Sequence, residues 1–240
     1  MISGVIVLPK LPLIEELTTE PLPPGSNIMI QYDTGSSWFN ASVTIAAGWL
    51  KTGGRCTYLD ASQPPDYLRS QLVRLGLNVE DLEEEGRLAI WDIYTATLGR
   101  KSKEKNAWST LKAADLSLRF ANYMSRAPVD PLLLRIADDH SLLARFNGDK
   151  SWVELMISRH VPIGPKIKST AIVGYLNGVH SDWLYKQLGA AYDGIVDFKL
   201  DESRDPACNL IRIRSMRNVK FNGKWHQLGL GDNFEVTLEK

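Results

Sequence analysis

Short apolar runs and amphipathic stretches take turns along most of the chain. Asn27–Tyr32, Arg55–Asp60, Arg87–Ile93, Leu132–Ala137, Ser169–Leu176 and Gly194–Leu200 have the length and composition of buried strands. Helical spacing separates them. Trp38–Thr52 predicts a helix stopped by Gly53-Gly54, and Asp66–Leu75 carries Leu68, Leu72 and Leu75 on one side before Gly76. Val79–Glu85 reads as a short acidic helix. Trp108–Met124 predicts a longer one, with Leu111, Ala114, Leu118 and Ala121 as its apolar stripe. Ser141–Phe146, Trp152–Ile157 and Asp182–Ala191 complete the helices, and Arg159–Lys168 reads as a plain connection. Then the pattern changes. Asn209–Met216 alternates apolar and charged residues, and Lys224–Leu230 and Phe234–Leu238 follow, with Asn222-Gly223 as a hairpin turn signal. The order implies an α/β fold: a mostly parallel central sheet flanked by helices, with C-terminal antiparallel strands. A single domain over residues 1–240 is expected, with a Pro- and Leu-rich lead-in at 1–26 and an antiparallel β edge at 208–240. Within the lead-in, Leu13–Leu17 reads as a helical turn.

The stretch Asn27–Gly54 carries the first chemical hint. A strand, a small polar loop and a helix N-terminus make up the layout of a phosphate-binding loop. The consensus G-x-x-x-x-G-K-[ST] falls with its fixed positions on Tyr32, Ser37, Trp38 and Phe39. Glycines there let backbone N–H groups wrap an anion, the lysine neutralises outer phosphates, and the hydroxyl ligates magnesium. None of the four residues here has the required chemistry. Asp33, Thr34, Gly35 and Ser36 fill the rest of the loop. An ordinary strand-turn-helix unit satisfies this window equally. If Trp38 and Phe39 belong to a former phosphate cavity, they either fill it or form an exposed partner surface; filling is the expectation.

Composition adds limits. The 240 residues are 44% hydrophobic, enough for a sizeable core. Lys+Arg and Asp+Glu number 28 each, so no global charge draws the chain to nucleic acid or an anionic membrane. Cys56 and Cys208 sit in apolar surroundings and read as buried free thiols of a reducing compartment. Met1–Lys10 lacks the features of a signal peptide, and a cytoplasmic location is expected.

Other candidate sites have plain alternatives. Asp138-Asp139-His140 is either a metal site or a helix start capped by Asp139 or Ser141; without a second ligand cluster, the helix start is preferred. The histidines at 140, 160, 180 and 226 have no zinc spacing, and no metal is expected. His180-Ser181-Asp182 has triad residue types, but adjacent residues do not build a triad. The loop with Arg100, Lys101, Lys103 and Lys105 reads as a solvated surface loop or a nucleic-acid contact, with Trp108 as a stacking partner or a core residue.

Taken in order, several segments resemble the RecA superfamily, and within it the KaiC-like and RadA-related ATPase domains. They are Leu22–Asn27, Leu50–Tyr58, the Leu75–Leu88 connector with Leu82-Glu83-Glu84-Glu85-Gly86-Arg87-Leu88, Gly178–Ser181, Ala191–Val196 and Ile211–Arg217, followed by Trp225. The resemblance implies a RecA-like fold and marks where its chemistry belongs. The family's catalytic glutamates fall on Ser62 and Gln63, and neither is a general base. Its magnesium-orienting acid falls on Asp138 or Asp139. Its late-strand lysine falls on Ser215, beside Arg214, Met216 and Arg217 as a possible interface. The resemblance therefore implies a pseudo-ATPase with no expected cofactor, partnered by an active KaiC- or RadA-like paralogue or by itself. ATP with magnesium enters only if the loop binds nucleotide in an atypical way. A third reading is a RadA-paralogue-like nucleic-acid accessory.

Overall fold

The computed structural model describes residues 8–239; the Met1–Val7 part of the leader reading lies outside it. Nine strands form one sheet in the order β3-β2-β4-β5-β1-β6-β7-β8-β9. Six run parallel: β1 (Asn27–Tyr32), β2 (Arg55–Asp60), β3 (Leu88–Asp92), β4 (Leu133–Ala137), β5 (Thr170–Leu176) and β6 (Gly194–Asp201). β7 (Cys208–Met216), β8 (His226–Leu230) and β9 (Val236–Leu238) add an antiparallel edge. β1 lies between β5 and β6, and its side chains are buried on both faces, Ile28 and Ile30 in one apolar cluster and Met29 in the other, which explains its apolar run.

Helices cover both faces. α1 (Trp38–Lys51), α2 (Pro65–Arg74) and α3 (Val79–Glu84) share one apolar cluster with Ile28, Ile30, Tyr58 and Ile172. A short α4 (Tyr94–Thr97) follows β3, and on the other face are α5 (Ala113–Arg126), α6 (Ser141–Asn147), α7 (Asp149–Leu155), a π turn (Met156–His160), α8 (Ile163–Ile167) and α9 (Asp182–Ala191). The core on that face includes Met29, Trp152, Val173 and Tyr175. α1 ends as its glycines predict. Gly53 has φ +91° and its N–H donates to Leu50 O, while Gly54 N–H donates to Trp49 O. Gly54 is also required for space, because a Cβ there would lie 2.2 Å from the Trp49 ring.

Five expectations change. The Trp108–Met124 helix starts only at Ala113, because residues 106–108 pair with β3 instead: Trp108 N–H donates to Asp92 O at 3.0 Å. Its buried positions are Leu116 and Phe120, and Leu118 is 67% exposed. The helix is apolar on more than one line, and the large Phe120 took the inward place. Residues 159–168 are not a plain connection but run through the π turn into α8. Asn222-Gly223 makes no two-residue hairpin. The register sets Ile211 opposite His226, and the intervening chain turns to the lead-in, where Asn222 N–H donates to Leu17 O and Phe221 bridges Thr18. Leu13–Leu17 forms turns rather than a helix, with Leu13 at φ +65°. The buried Glu15 carboxylate holds this lead-in by accepting from Leu11 N–H and Leu22 N–H at 2.7 and 2.6 Å.

Candidate functional site

Parallel strands deliver their C-terminal ends to one edge of the sheet, the usual place for a ligand in such folds. Here that edge gathers the loop after β1, Asp60-Ala61-Ser62-Gln63 after β2, Asp92 at the end of β3, and Asp138-Asp139 after β4.

The β1–α1 loop is tied to itself and to β6 and β7. Gly35 takes φ +79°, which permits the tight turn. Three of its N–H groups are already used: Asp33 donates to Phe198 O, Ser36 to Asp33 O, and Ser37 to Asn209 Oδ1 at 2.7 Å. Asn177 Nδ2 donates to Asp33 Oδ1. Trp38 opens α1 and is 2% exposed. Its ring packs against Phe198 and Tyr32, with centroids 5.2 and 6.3 Å away, and its Nε1–H donates to Asp138 O at 2.7 Å. Phe39 is half-buried and stacks on Tyr67.

The Asp138 carboxylate is buried and saturated. It accepts from Ala61 N–H at 2.9 Å, Ser62 N–H at 3.0 Å, Asp139 N–H at 2.8 Å and the Ser62 hydroxyl. Burial raises its pKa, and these four donors work against that rise. Asp60 lies beside it. Burial, then the Asp138 charge, pushes the Asp60 carboxyl up to about 9, which favours its protonated form at neutral pH. Asp60 Oδ1 accepts Gln63 N–H at 3.1 Å. Burial and Asp138 also push Asp139 up to about 6, and its Oδ1 accepts Ser141 N–H at the start of α6. His140, not Asp139 or Ser141, stands at the N-cap of α6, and no side chain caps it; Asp139 turns the chain into the helix from the residue before. Tyr32 faces the Asp139 carboxylate, and burial with this negative neighbour drives its phenol far above the ordinary range.

No protein-family model and no curated protein matches the sequence. Among solved structures, the chain is similar to a KaiC-like protein from the hyperthermophilic archaeon Pyrococcus horikoshii OT3. The TM-score is 0.73 at 14% identity, over 98% of each chain. The fold is KaiC-like. Its mostly parallel sheet with C-terminal antiparallel strands is the architecture that the ordered motifs imply.

In this KaiC-like frame, Tyr32, Trp38, Ser62, Gln63, Asp138 and Asp139 meet at one edge. Arg214, Met216 and Arg217 do not; they lie at the β6–β7 margin. The Arg214 guanidinium grips Asp197, through Nε at 2.9 Å and through Nη2, and also reaches Gln31 Oε1. Arg212 Nε joins the same carboxylate at 2.8 Å. Arg217 donates to Ala190 O, and Met216 is half-buried beside Gly194.

His180 contacts Asp149 and Ser141 O, while Ser181 donates to Asp149 and caps α9; Asp182 takes no part in these contacts. Among the described residues, no group of three or more His, Cys, Asp or Glu could hold a metal. Cys56 and Cys208 are buried free thiols. Among the described residues, no helix is long and apolar enough to cross a membrane. In the basic loop, Lys101, Lys103 and Lys105 face outward while Ser102 and Glu104 turn in, to Asp92 and Arg69. Trp108 is buried.

Asp60 is the functional-edge residue that sequence reasoning missed. Its signal was present, a lone acid closing an apolar run, but nothing in one dimension says that a second acid lies against it.

Proposed function

We propose that this chain is a KaiC-like domain that does not hydrolyse ATP and acts through a protein partner, either an active KaiC- or RadA-like paralogue or another copy of itself. The observation that carries the reading is the Trp38–Asp138 contact. An indole occupies the position where the resemblance calls for a phosphate-binding lysine, and it is bonded to the residue that the resemblance assigns to magnesium.

Three further features support it. Tyr32 and Ser37 bring side chains to the loop's glycine positions, and the loop's N–H groups at 33, 36 and 37 already have acceptors within the fold. The Asp138 carboxylate has its four donors and no free lone pair aimed at an ion. Ser62 spends its hydroxyl on Asp138, where a general base would be needed to activate water. The residues present therefore do not fit a magnesium–triphosphate group. Phosphoryl transfer rests almost wholly on positioning and charge stabilisation. Each lost donor costs about 100- to 1000-fold in rate, so the combined losses leave no useful turnover.

Titration of the full chain with a fluorescent ATP analogue and magnesium, beside a phosphate-release assay, tests this. No saturable binding up to about 1 mM and no release above buffer are expected. Micromolar binding overturns the reading. For the partner, sedimentation of the chain alone and mixed with a KaiC-like ATPase of the same organism should show a complex in one of the two samples.

A further inference from the structure

On the sheet face away from α1, a cavity of about 300 Å³ lies between β2, β4 and β5 below and α5, the π turn and α8 above. Its walls are mainly apolar and aromatic, including Leu59, Trp91, Trp108, Phe120, Ile136 and Val173. It shares no residue with the 32–39 loop. Arg119, Asn122 and Tyr123, on the exposed side of α5, open it to solvent.

Arg119 stands at the solvent side of the cavity, and Arg135 is the cation buried within its apolar part. Arg135 of β4 is 7% exposed, on a strand that is otherwise apolar. Its Nε donates to Ser169 Oγ at 2.9 Å and its Nη1 to His160 Nε2 at 3.5 Å, while Nη2 has no partner. Among the described residues, no carboxylate pairs with it. Burial lowers its pKa only to about 10, so it stays charged at neutral pH. Burial and the Arg135 charge keep His160 neutral. With Nε2 accepting from Arg135, the His160 proton sits on Nδ1, and that donor is buried without an acceptor. A buried cation without a counter-charge, beside a buried donor without an acceptor, is a costly arrangement that folds rarely keep unless something completes it.

We propose that this cavity binds a small organic monocarboxylate with an apolar, aromatic-sized body. Its carboxylate takes the free Arg135 Nη2–H and His160 Nδ1–H, and its body lies against Trp91, Trp108 and Phe120. One negative charge matches one guanidinium beside a neutral imidazole. A neutral ligand would leave the buried guanidinium unbalanced.

Calorimetric titration of the full chain with 3-phenylpropionate and with 3-phenylpropionamide tests this. The acid should bind saturably, and at least about tenfold more tightly than the amide, which keeps the shape and drops the charge. R135M should abolish acid binding. Equal affinities for acid and amide, no saturable acid binding, or binding retained in R135M would each overturn the assignment. If R135M does not fold, the acid–amide comparison on the unaltered chain decides alone.

Discussion

The indole N–H of Trp38 and the main-chain carbonyl of Asp138 meet at 2.7 Å, a hundred residues apart in sequence. The bond ties the first turn of α1 to the end of β4, across β1 and β5. Gly174 on β5 makes room for it: a Cβ there would come within 2.1 Å of the Asp138 oxygen and 2.6 Å of Trp38 Nε1. A tryptophan at the head of α1, a glycine on β5 and the carbonyl of an acid form one packed unit. Substitutions at this edge are therefore read first in stability.

Restoring the phosphate-loop residue types should do harm. W38K with F39T removes a buried indole, its hydrogen bond and the Phe39–Tyr67 stack, and places an ammonium beside Phe198. By comparison with Trp→Ala changes in cores, the loss should be about 3–5 kcal/mol. Urea unfolding measures it, and an unchanged midpoint would refute the filling role of Trp38.

Stability should fall with rising pH because of Asp60. Its folded pKa, about 9, lies above the unfolded value of 3.8. Between those values the native state holds a proton that the unfolded chain has lost, so the unfolded state binds fewer protons and the slope of stability against pH is negative. This contribution begins near pH 4 and levels off above about 9. D60N mimics the protonated acid. It should flatten the slope and stabilise the protein by about 1–3 kcal/mol at pH 8. Thermal melting from pH 5 to 9 checks both effects, and a D60N slope equal to that of the unaltered chain would count against a protonated Asp60 in the folded state.

Asp197 holds two arginines of β7, and its side chain is only 6% exposed. D197A would leave both guanidiniums without their counter-charge. Since Arg212 and Arg214 are 34% and 41% exposed, solvent offsets part of the loss. About 1–2 kcal/mol is expected. Hydrogen exchange should show faster opening of β7 to β9 than of the parallel strands; uniform exchange would argue that Asp197 is not the anchor of that edge.

Arg69 ties α2 to α3 and to the basic loop, with Glu83 at 2.9 and 3.0 Å and Glu104 at 2.7 and 2.8 Å. R69M should cost about 1–2 kcal/mol and release the loop. Limited trypsin digestion should then cut near Lys101, Lys103 and Lys105 sooner than in the parent chain. An equal cutting rate would show that the Ser102–Asp92 bond suffices to hold it.

The parallel strands were legible as short apolar runs bounded by glycines or polar turns; Asn27–Tyr32 and Arg55–Asp60 match the structure residue for residue, as does the helix Asp182–Ala191. The order of motifs carried the fold, since strand-helix alternation admits few sheet topologies. Phe120 over Leu118, the turning of residues 217–225 toward the lead-in, and the helix within 159–168 were not legible. Each depends on which of two locally acceptable arrangements finds a partner far along the chain. The same holds at the functional edge. The sequence by itself determined that the loop at 32–39 lacks lysine, hydroxyl and glycines in their places. Only the tertiary structure decided that Trp38 bonds to Asp138, that Asp60 is buried against the charge of Asp138, and that Arg135 is buried facing a cavity without a carboxylate. Burial and pairing of charge are set by three-dimensional neighbours, and no local spacing encodes them.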